Sequence, residues 1–202
     1  MSLPHVGQAQ MLADKLEQLV KQFSPPSIGL IGCAGGNGLD RLTPDQLERV
    51  VALDINPSYI GTVGLRHAHR LSKLELYRVD VQSASFQIEP VDLIFAALLF
   101  EYVDVAATLA ALKRHCRPGG TLATVVQLPH RDRGAISPSP YESLNLLAPV
   151  IKLIAPADLC ALATAAGFLV VDSEMIELAS GKQFSLQVFQ ALTDDGMAAE
   201  QA

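Results

Sequence analysis

The chain has 202 residues, of which half are hydrophobic and 18% are charged, and its formal net charge is −6. This length suits one well-packed domain, and the composition excludes a disordered chain. The acidic balance argues against a nucleic-acid partner, because binding to phosphates depends on clustered Lys and Arg.

The amino-terminal segment predicts a soluble, cytoplasmic protein with a helical cap. It starts MSLPHVGQAQ, without the basic start and apolar run of a secretion signal, and no apolar stretch approaches the ~20 residues of a membrane span. From Met11 to Phe23 apolar residues recur at helical spacing until Ser24-Pro25-Pro26 interrupts them. We therefore expect residues 1–27 to form an amino-terminal helix that packs on the rest of the chain.

A series of short apolar runs predicts a parallel sheet. Each run is separated from the next by enough residues for a crossover helix, and such alternation is typical of a parallel sheet covered on both faces. Asn56-Pro57 marks one helix start, with a cap residue before a proline. The predicted strands are 28–31, 50–53, 74–79, 91–97 and 121–127.

The carboxyl-terminal third changes character. Residues 128–155 carry several prolines around an HRDRG cluster, and a connection of this length in a compact domain is usually functional or mobile. A helix ending near Gly167 follows, then two strands around Ser180-Gly181-Lys182, which predict a closing antiparallel hairpin. Residues 193–202 are expected to form a frayed tail.

The segment IGLIGCAGGNG ends the first strand in a glycine-rich turn, and the helix after this turn is predicted to be short or broken. Glycines here let the backbone approach a nucleotide-like ligand. Asp54 lies at the end of the second strand, where a carboxylate can accept both hydroxyls of a ribose. The dinucleotide pattern G-x-G-x-x-G fails at Ala34 and Asn37, so the simple NAD fingerprint is missing.

Six segments in order, from about residue 28 to 192, resemble those of class I S-adenosylmethionine-dependent methyltransferases. They are IGLIGCAGGNG, VVALDINPSYI, YRVDVQSASF, VDLIFAALLFEYVD, LKRHCRPGGTLAT and IAPADLCALATAAGFLVVDSE. The resemblance implies a Rossmann-like, seven-stranded, mostly parallel sheet that ends in an antiparallel hairpin, with helices on both faces. Residues 28–192 would form the cofactor-binding domain, with residues 128–155 as an insertion.

The resemblance also implies how S-adenosylmethionine would be held. Residues of the glycine-rich turn would wrap its methionine and ribose. Asp54 would hold the ribose hydroxyls, and Ile55 would pack on the adenine. Asp80 and the amide of Val81 would read the adenine edge, and Ala96 and Ala97 would lie beside the sulfonium. Asp92, at the start of the fourth strand, is interpreted as structural. The residues around the methionine and ribose would be Gly32, Cys33, Ala34 and Gly36.

Two departures from the family pattern keep other hypotheses open. Leu30 stands where the family commonly has an acid that helps to bind the cofactor's amino group. Ala34 replaces the middle glycine, which is tolerated if its torsions stay negative. A non-catalytic binding protein with this fold is therefore one alternative, and an NAD-dependent oxidoreductase is another.

The acceptor side is less specific. Methyl transfer mainly requires alignment of the nucleophile, and a general base only if the acceptor must lose a proton. Glu101 and Tyr102 follow the fourth strand and are the catalytic candidates; in the alternative interpretation Tyr102 packs under the cofactor and Glu101 is surface charge. Few basic residues and no target-recognition domain favour a small-molecule acceptor. Candidates to bind it are His130, Arg131, Arg133 and Tyr141, with a solvated loop as the alternative.

Two other groups are given structural interpretations. The basic stretch GLRHAHRLSK is interpreted as the solvated face of a helix, and its His67 and His69 point apart on a helix, so we predict no metal site. Three cysteines, odd in number and without CxxC spacing, suit free thiols in a reducing compartment. No base is spaced to activate the one beside the glycine turn. The cysteines are Cys33, Cys116 and Cys160.

Overall fold

The computed structural model describes residues 7–71, 73–129 and 151–193. Its helices are α1 (Gln8–Phe23), α2 (Pro57–His67), α3 (Val105–His115) and α4 (Pro156–Ala165). Its strands are β1 (Ser27–Ile31), β2 (Arg49–Asp54), β3 (Leu74–Arg78), β4 (Val91–Ala97), β5 (Cys116–Gln127), β6 (Phe168–Glu177) and β7 (Gln183–Ala191). No helix in these ranges has the length and apolar character needed to cross a membrane.

All seven strands form one sheet in the order β3-β2-β1-β4-β5-β7-β6. The first five are parallel, and β7 pairs antiparallel with both β5 and β6. The predicted fold class is therefore confirmed. The strand order reverses beside β1, which lies between β2 and β4, and open α/β sheets bind their ligands beyond the strand ends at such a point.

Helices cover both faces of the sheet, as the nearly continuous burial along β1, β2 and β4 requires. One cluster of buried apolar residues joins α1 and α2 to one face, and includes Leu16, Val63 and Leu30. The opposite cluster joins α3 and α4 to the other face, and includes Leu109 and Leu159. Neighbouring residues in β1, β2 and β4 belong to different clusters, because successive side chains of a strand point to opposite faces of the sheet.

The helix starts follow from local chemistry. The Asn56 side chain accepts a hydrogen bond from the amide of Ser58 at 2.9 Å, with Pro57 at the first helical position, as predicted. Asp104 caps α3 in the same way by accepting from the amide of Ala107 at 2.8 Å. No long helix follows the glycine turn; two single turns of 3-10 helix, Leu39–Arg41 and Pro44–Gln46, take its place. The prediction of a short or broken helix is confirmed.

The start of β5 differs from the predicted boundary at residue 121. The strand begins at Cys116, which pairs with Val91 before the register shifts. Gly120 lies inside this irregular stretch, and a Cβ there would meet the carbonyl oxygen of Arg117 at 2.8 Å. A residue with a side chain does not fit that position, so the Pro-Gly-Gly sequence supports a bulged strand entry. Asp92, on the neighbouring strand, accepts hydrogen bonds from both the amide and the hydroxyl of Ser27, which confirms its structural interpretation.

Candidate active site

The carboxyl ends of β1, β2 and β4 meet at the point where the strand order reverses. The amide of Val79, just after β3, donates to the carbonyl of Asp54 at 3.2 Å, so the end of β3 adjoins the same region. The glycine turn follows β1 directly. The topology therefore brings the turn, Asp54, the 79–82 segment and the residues after β4 to one edge of the sheet.

The glycine turn closes on β2 through its backbone. The amides of Gly32 and Cys33 both donate to the carbonyl of Leu53 at 3.0 Å, and the amide of Gly36 donates to the carbonyl of Cys33 at 2.9 Å. Gly32 and Gly36 have φ of 70° and 77°, in the left-handed region that favours glycine. A Cβ on Gly36 would meet the imidazole of His67 at 3.0 Å. The turn thus presents bare backbone toward the strand ends.

Ala34 is also left-handed, with φ of 46°, so the condition of negative torsions, under which alanine would replace glycine without strain, is not met. A non-glycine residue in this region is strained by ~1–2 kcal/mol. The strain has a local compensation, because this conformation directs the Ala34 amide to Oδ2 of Asp54 at 3.0 Å. A hydrogen bond to a charged partner contributes a similar amount, ~1.5–3 kcal/mol.

Asp54 links the glycine turn to the start of α2. Oδ2 accepts from the amide of Ala34, and Oδ1 accepts from the amide of Asn56 at 2.9 Å. The residue is 9% exposed. Each carboxylate oxygen has two lone pairs, so each can accept a further donor besides its backbone amide. The structure therefore leaves Asp54 able to accept two hydroxyls while it holds the turn in shape.

The carboxyl end of α2 braces the turn from outside, which corrects the interpretation of the basic stretch as a solvated face. Arg66 donates to the carbonyl of Gly35 at 2.8 Å, and Arg70 donates to those of Leu39 at 2.6 Å and Leu42 at 3.0 Å. The guanidinium groups thereby give donors to the carbonyls of Gly35 and Leu42 and a second donor to that of Leu39, which also accepts from the amide of Leu42. The sequence signal was the cluster of basic residues at the end of the predicted helix: Arg66 lies in the last turn of α2 and Arg70 in the turn that follows it.

His67 lies beneath the same turn and His69 is exposed, so the two rings have different surroundings. His67 is 2% exposed, and its Nε2 has no hydrogen-bond partner among the described residues. Burial lowers the pKa of the imidazole, and the neighbouring Arg66 charge adds to the effect. The described ranges contain no group of three or more His, Cys, Asp or Glu placed to hold a metal ion.

The region predicted to take the adenine is open on one side and apolar beneath. Ile55 is 65% exposed, whereas Val81 is buried. Asp80 is half-buried, and its Oδ1 accepts from the amide of Gln82 at 2.9 Å. The Gln82 side chain accepts from the amide of Asp104 at 2.8 Å and so ties this segment to the loop after β4. An exposed apolar side chain and a carboxylate that follow neighbouring strands suit a flat, polar-edged ring.

The chain turns sharply where β4 ends. Ala96 is fully buried and Ala97 is half-buried, and they pair with Thr124 and Val125 of β5. Leu98 has φ of 55°, and its amide donates to the carbonyl of Val125 at 2.8 Å. Left-handed non-glycine residues are rare and gather at functional sites. Two of those in the described ranges, Ala34 and Leu98, flank the predicted sulfonium position.

Glu101 is buried, with 3% exposure, so the alternative that it is surface charge is wrong. Its Oε1 accepts from the amide of Gln127, at the end of β5, at 2.8 Å. Burial raises the pKa of the carboxyl to about 7. Tyr102 points outward and is 42% exposed; burial of part of its ring, with the Glu101 charge, raises the pKa of the phenol. The structure thus separates the two candidates, one inside and one at the surface.

The remaining candidates divide between buried thiols and residues outside the described ranges. Burial, with a smaller effect from the charge of Asp54, raises the pKa of the Cys33 thiol to about 12. The thiol therefore stays protonated and unreactive. Leu30 is 3% exposed within the core of the sheet. The predicted acceptor-binding residues lie in 130–150, outside the described residues: His130, Arg131, Arg133 and Tyr141.

Known structures share this fold over nearly the whole chain. The N-methyltransferase NodS from Bradyrhizobium japonicum WM9, in complex with S-adenosyl-L-homocysteine, has a TM-score of 0.70 at 18% identity, covering 94% of this chain and 89% of that one. Magnesium protoporphyrin IX methyltransferase from Synechocystis PCC 6803, with the same molecule bound, has a TM-score of 0.70 at 14% identity, covering 92% and 84%. The [4+2]-cyclase SpnF has a TM-score of 0.70 at 13% identity, covering 89% and 81%.

The fold and the turn anchored by Asp54 define a Rossmann-like α/β protein with a nucleotide-type site at the reversal point of its sheet. Residues 30–124 match the family model described as a methyltransferase domain. This match spans just under half of the chain, and with the shared fold it makes the chain similar to the class I S-adenosylmethionine-dependent methyltransferases. No curated protein sequence is significantly similar to it.

Proposed function

We propose that this protein transfers the methyl group of S-adenosylmethionine to a small-molecule acceptor. The observation that carries the proposal is the junction at Asp54, whose two oxygens receive the amides of Ala34 and Asn56 and keep lone pairs for ribose hydroxyls. The turn that it holds has no side chain at Gly32, Gly35 and Gly36, so backbone is available along the cofactor's methionine end. These residues fit the cofactor.

The cofactor supplies an activated methyl group on a sulfonium. The protein's part is to align an acceptor with that methyl group and to exclude water. Ala96 and Ala97, at the end of β4, leave room beside the predicted sulfonium position because their side chains are small. By the same assignment, Ile55 packs on the adenine, Asp80 accepts from its amino group, and the amide of Val81 donates to a ring nitrogen.

The net charge of the chain and the segments left to bind an acceptor both favour a small acceptor. The net charge of −6 opposes a long polyanion. Within the given sequence, α1 and the insertion at 128–155 are the segments proposed to shape an acceptor site, and the insertion begins directly after β5, whose carboxyl end lies at the ligand-binding edge of the sheet. Residues His130, Arg131 and Tyr141 of the insertion are proposed to contact the acceptor.

Calorimetric titration tests the cofactor half of the proposal. S-adenosylmethionine and S-adenosylhomocysteine are expected to bind with micromolar Kd, and NAD is expected not to bind. Asp54→Asn should weaken S-adenosylhomocysteine by ~1–3 kcal/mol, because an amide NH₂ group cannot accept from a backbone N–H or a hydroxyl. Asp45→Asn, at an exposed position in the short turn of 3-10 helix at 44–46, is the matched control. Binding of NAD alone, or equal affinity in the two variants, would contradict the assignment.

Methyl transfer itself is tested by formation of S-adenosylhomocysteine over a panel of small acceptors. The competing hypothesis is a protein that binds the cofactor without transferring its methyl group, suggested by Leu30 in place of an acid. It predicts tight cofactor binding with no acceptor-dependent turnover. The two measurements together therefore separate an enzyme from a binding protein.

A further inference from the structure

Glu101 is the point at which three parts of the acceptor side are joined. It follows β4 in the chain, and its Oε1 accepts from the amide of Gln127 at the end of β5. Its main-chain carbonyl accepts from the amide of Lys152 at 2.9 Å. Residues 151–155, which lead from the insertion into α4, have no regular secondary structure. Glu101 therefore lies between both strand ends and the returning chain, beside the proposed sulfonium position.

The second oxygen of this carboxyl group is anomalous. Oε2 is buried and has no hydrogen-bond partner within residues 7–71, 73–129 and 151–193. Buried polar atoms in folded proteins are almost always paired, and an unpaired one costs ~1–3 kcal/mol, more if it is charged. A carboxylate that has lost its water without gaining a donor is maintained most simply by a ligand that supplies the donor.

The other carboxylates nearby are already occupied. Asp54 holds two backbone amides, and Asp104 caps α3 through the amide of Ala107. Asp80 lies on the adenine side and accepts from Gln82. The Tyr102 phenol is mostly a donor at neutral pH, since its pKa is raised. Among these groups Glu101 alone combines burial with an unused acceptor oxygen.

We propose that Oε2 of Glu101 accepts a hydrogen bond from the acceptor's nucleophilic atom, so that the acceptor is an amine or a hydroxyl compound that carries a dissociable proton. This inference rests on the proposed function. In the transfer step the N–H or O–H bond breaks and its proton passes to Oε2. A lone pair of that nitrogen or oxygen forms the bond to the methyl carbon, the pair of the N–H or O–H bond stays on the heteroatom, and the S–CH₃ pair remains on sulfur, giving S-adenosylhomocysteine. A thioether, which has no proton to lose, makes no use of this oxygen.

Burial suits the group to this task. It raises the pKa of Glu101 to about 7, so near neutral pH the carboxyl can both accept a proton and release it again. A pKa close to the working pH gives the best compromise between the fraction ionised and the strength of the base. The Gln127 amide fixes the orientation of the carboxyl through the other oxygen.

Carbon NMR on the S-adenosylhomocysteine complex tests the proposal directly. The Glu101 carboxyl resonance is identified as the glutamate signal that Glu101→Gln removes. Phenol and benzylamine serve as probes, each beside a matched compound without the proton, anisole and benzyl methyl sulfide. We expect at least one proton-bearing probe to shift the resonance saturably while its matched compound does not. No shift from phenol or benzylamine, or an equal shift from the matched compounds, would overturn it.

Kinetics on an acceptor from the panel give a second test. Glu101→Gln should lower kcat by ~10²–10⁴-fold, the usual contribution of a general base, with the Kd for S-adenosylhomocysteine unchanged. Glu89→Gln, at an exposed position, is the control and should keep full activity. Unchanged kcat in Glu101→Gln would refute the role of Glu101 alone, whereas loss of S-adenosylhomocysteine binding by the wild type would refute the proposed function.

Discussion

Gly36→Ala probes the fit between the glycine turn and the helix beneath it. The glycine has φ of 77°, and a Cβ there would lie 3.0 Å from Nε2 and 3.1 Å from Cδ2 of His67, and 3.2 Å from Cδ1 of Leu39. The left-handed torsion costs an alanine ~1–2 kcal/mol, and forcing a methyl group into a packed site costs at least ~1 kcal/mol. Reduced freedom of the unfolded chain returns ~0.4–1 kcal/mol.

The net expectation is a loss of about 2 kcal/mol in the free energy of unfolding, which for a chain of this size lowers Tm by roughly 4–8 °C. Gly35→Ala is the matched control. Its φ is not in the left-handed region, and its Cβ would approach Arg66 Nη1 only to 3.7 Å and Thr62 Cγ2 to 4.0 Å, which are ordinary contacts. It should therefore leave Tm within about 2 °C of the wild type, since a surface substitution without strain stays within ~0.5 kcal/mol.

Differential scanning calorimetry and S-adenosylhomocysteine titration read out the two variants. Gly36→Ala should also weaken cofactor binding, because relief of the crowding against His67 moves the turn. Adding His67→Ala to Gly36→Ala removes the crowding but keeps the torsional strain. In the double-mutant cycle, the loss in the free energy of unfolding should therefore be smaller than the sum of the two separate losses. Equal Tm values for Gly35→Ala and Gly36→Ala, or a cycle without coupling, would refute the proposed contact.

Burial leads to three further predictions. Glu101 keeps its proton up to pH about 7 in the folded state but releases it near pH 4.5 in the unfolded state, so the folded state binds more protons between these two values. The free energy of unfolding should therefore fall by about 3 kcal/mol between pH 4.5 and 7. Urea titrations at several pH values should show a flatter pH dependence for Glu101→Gln. Burial raises the pKa values of Cys33 and Cys116 to about 12, so iodoacetamide at pH 8 should label Cys160 first by mass spectrometry, and early labelling of Cys33 would contradict this. Leu30→Asp would bury a carboxylate in the apolar core and should cost several kcal/mol without tightening S-adenosylhomocysteine; a soluble variant with higher affinity would show that this side chain faces the cofactor.

The sheet was predictable because its signals are local. Runs of apolar residues separated by helical lengths determine strand identity, and the strands at residues 28–31, 50–53 and 91–97 lie within one residue of their predicted bounds. The cap at Asn56 and the hairpin turn at 180–182 likewise depend on side chains next to the backbone that they affect. The topology followed, since a crossover between parallel strands leaves few alternatives.

The state of the site residues was not predictable, because it depends on partners distant in sequence. Glu101 is an acidic residue in a loop, and it is buried where its carboxylate accepts from the amide of Gln127 and its carbonyl accepts from the amide of Lys152. Residues Arg66 and Arg70 resemble solvated charges until the broken helix after the turn provides carbonyls for them. Hydropathy cannot distinguish an exposed charge from a buried, paired one, since both are polar letters in the same pattern.

The left-handed alanine shows how a departure from a family pattern can be accommodated. Position 34 needs a positive φ so that its amide reaches Asp54, and alanine meets that need at a cost that the charged hydrogen bond offsets. The carboxylate is therefore required by the turn before any ribose arrives. Loss of Asp54 should consequently disturb the empty protein as well as the complex, which a residue serving only the ligand would not do. The amino group of the cofactor, in turn, has no acid at position 30 to meet, because Leu30 is enclosed in the core. We therefore propose that the turn and Asp54 contribute much of the affinity for the cofactor, which makes those residues the first ones to mutate.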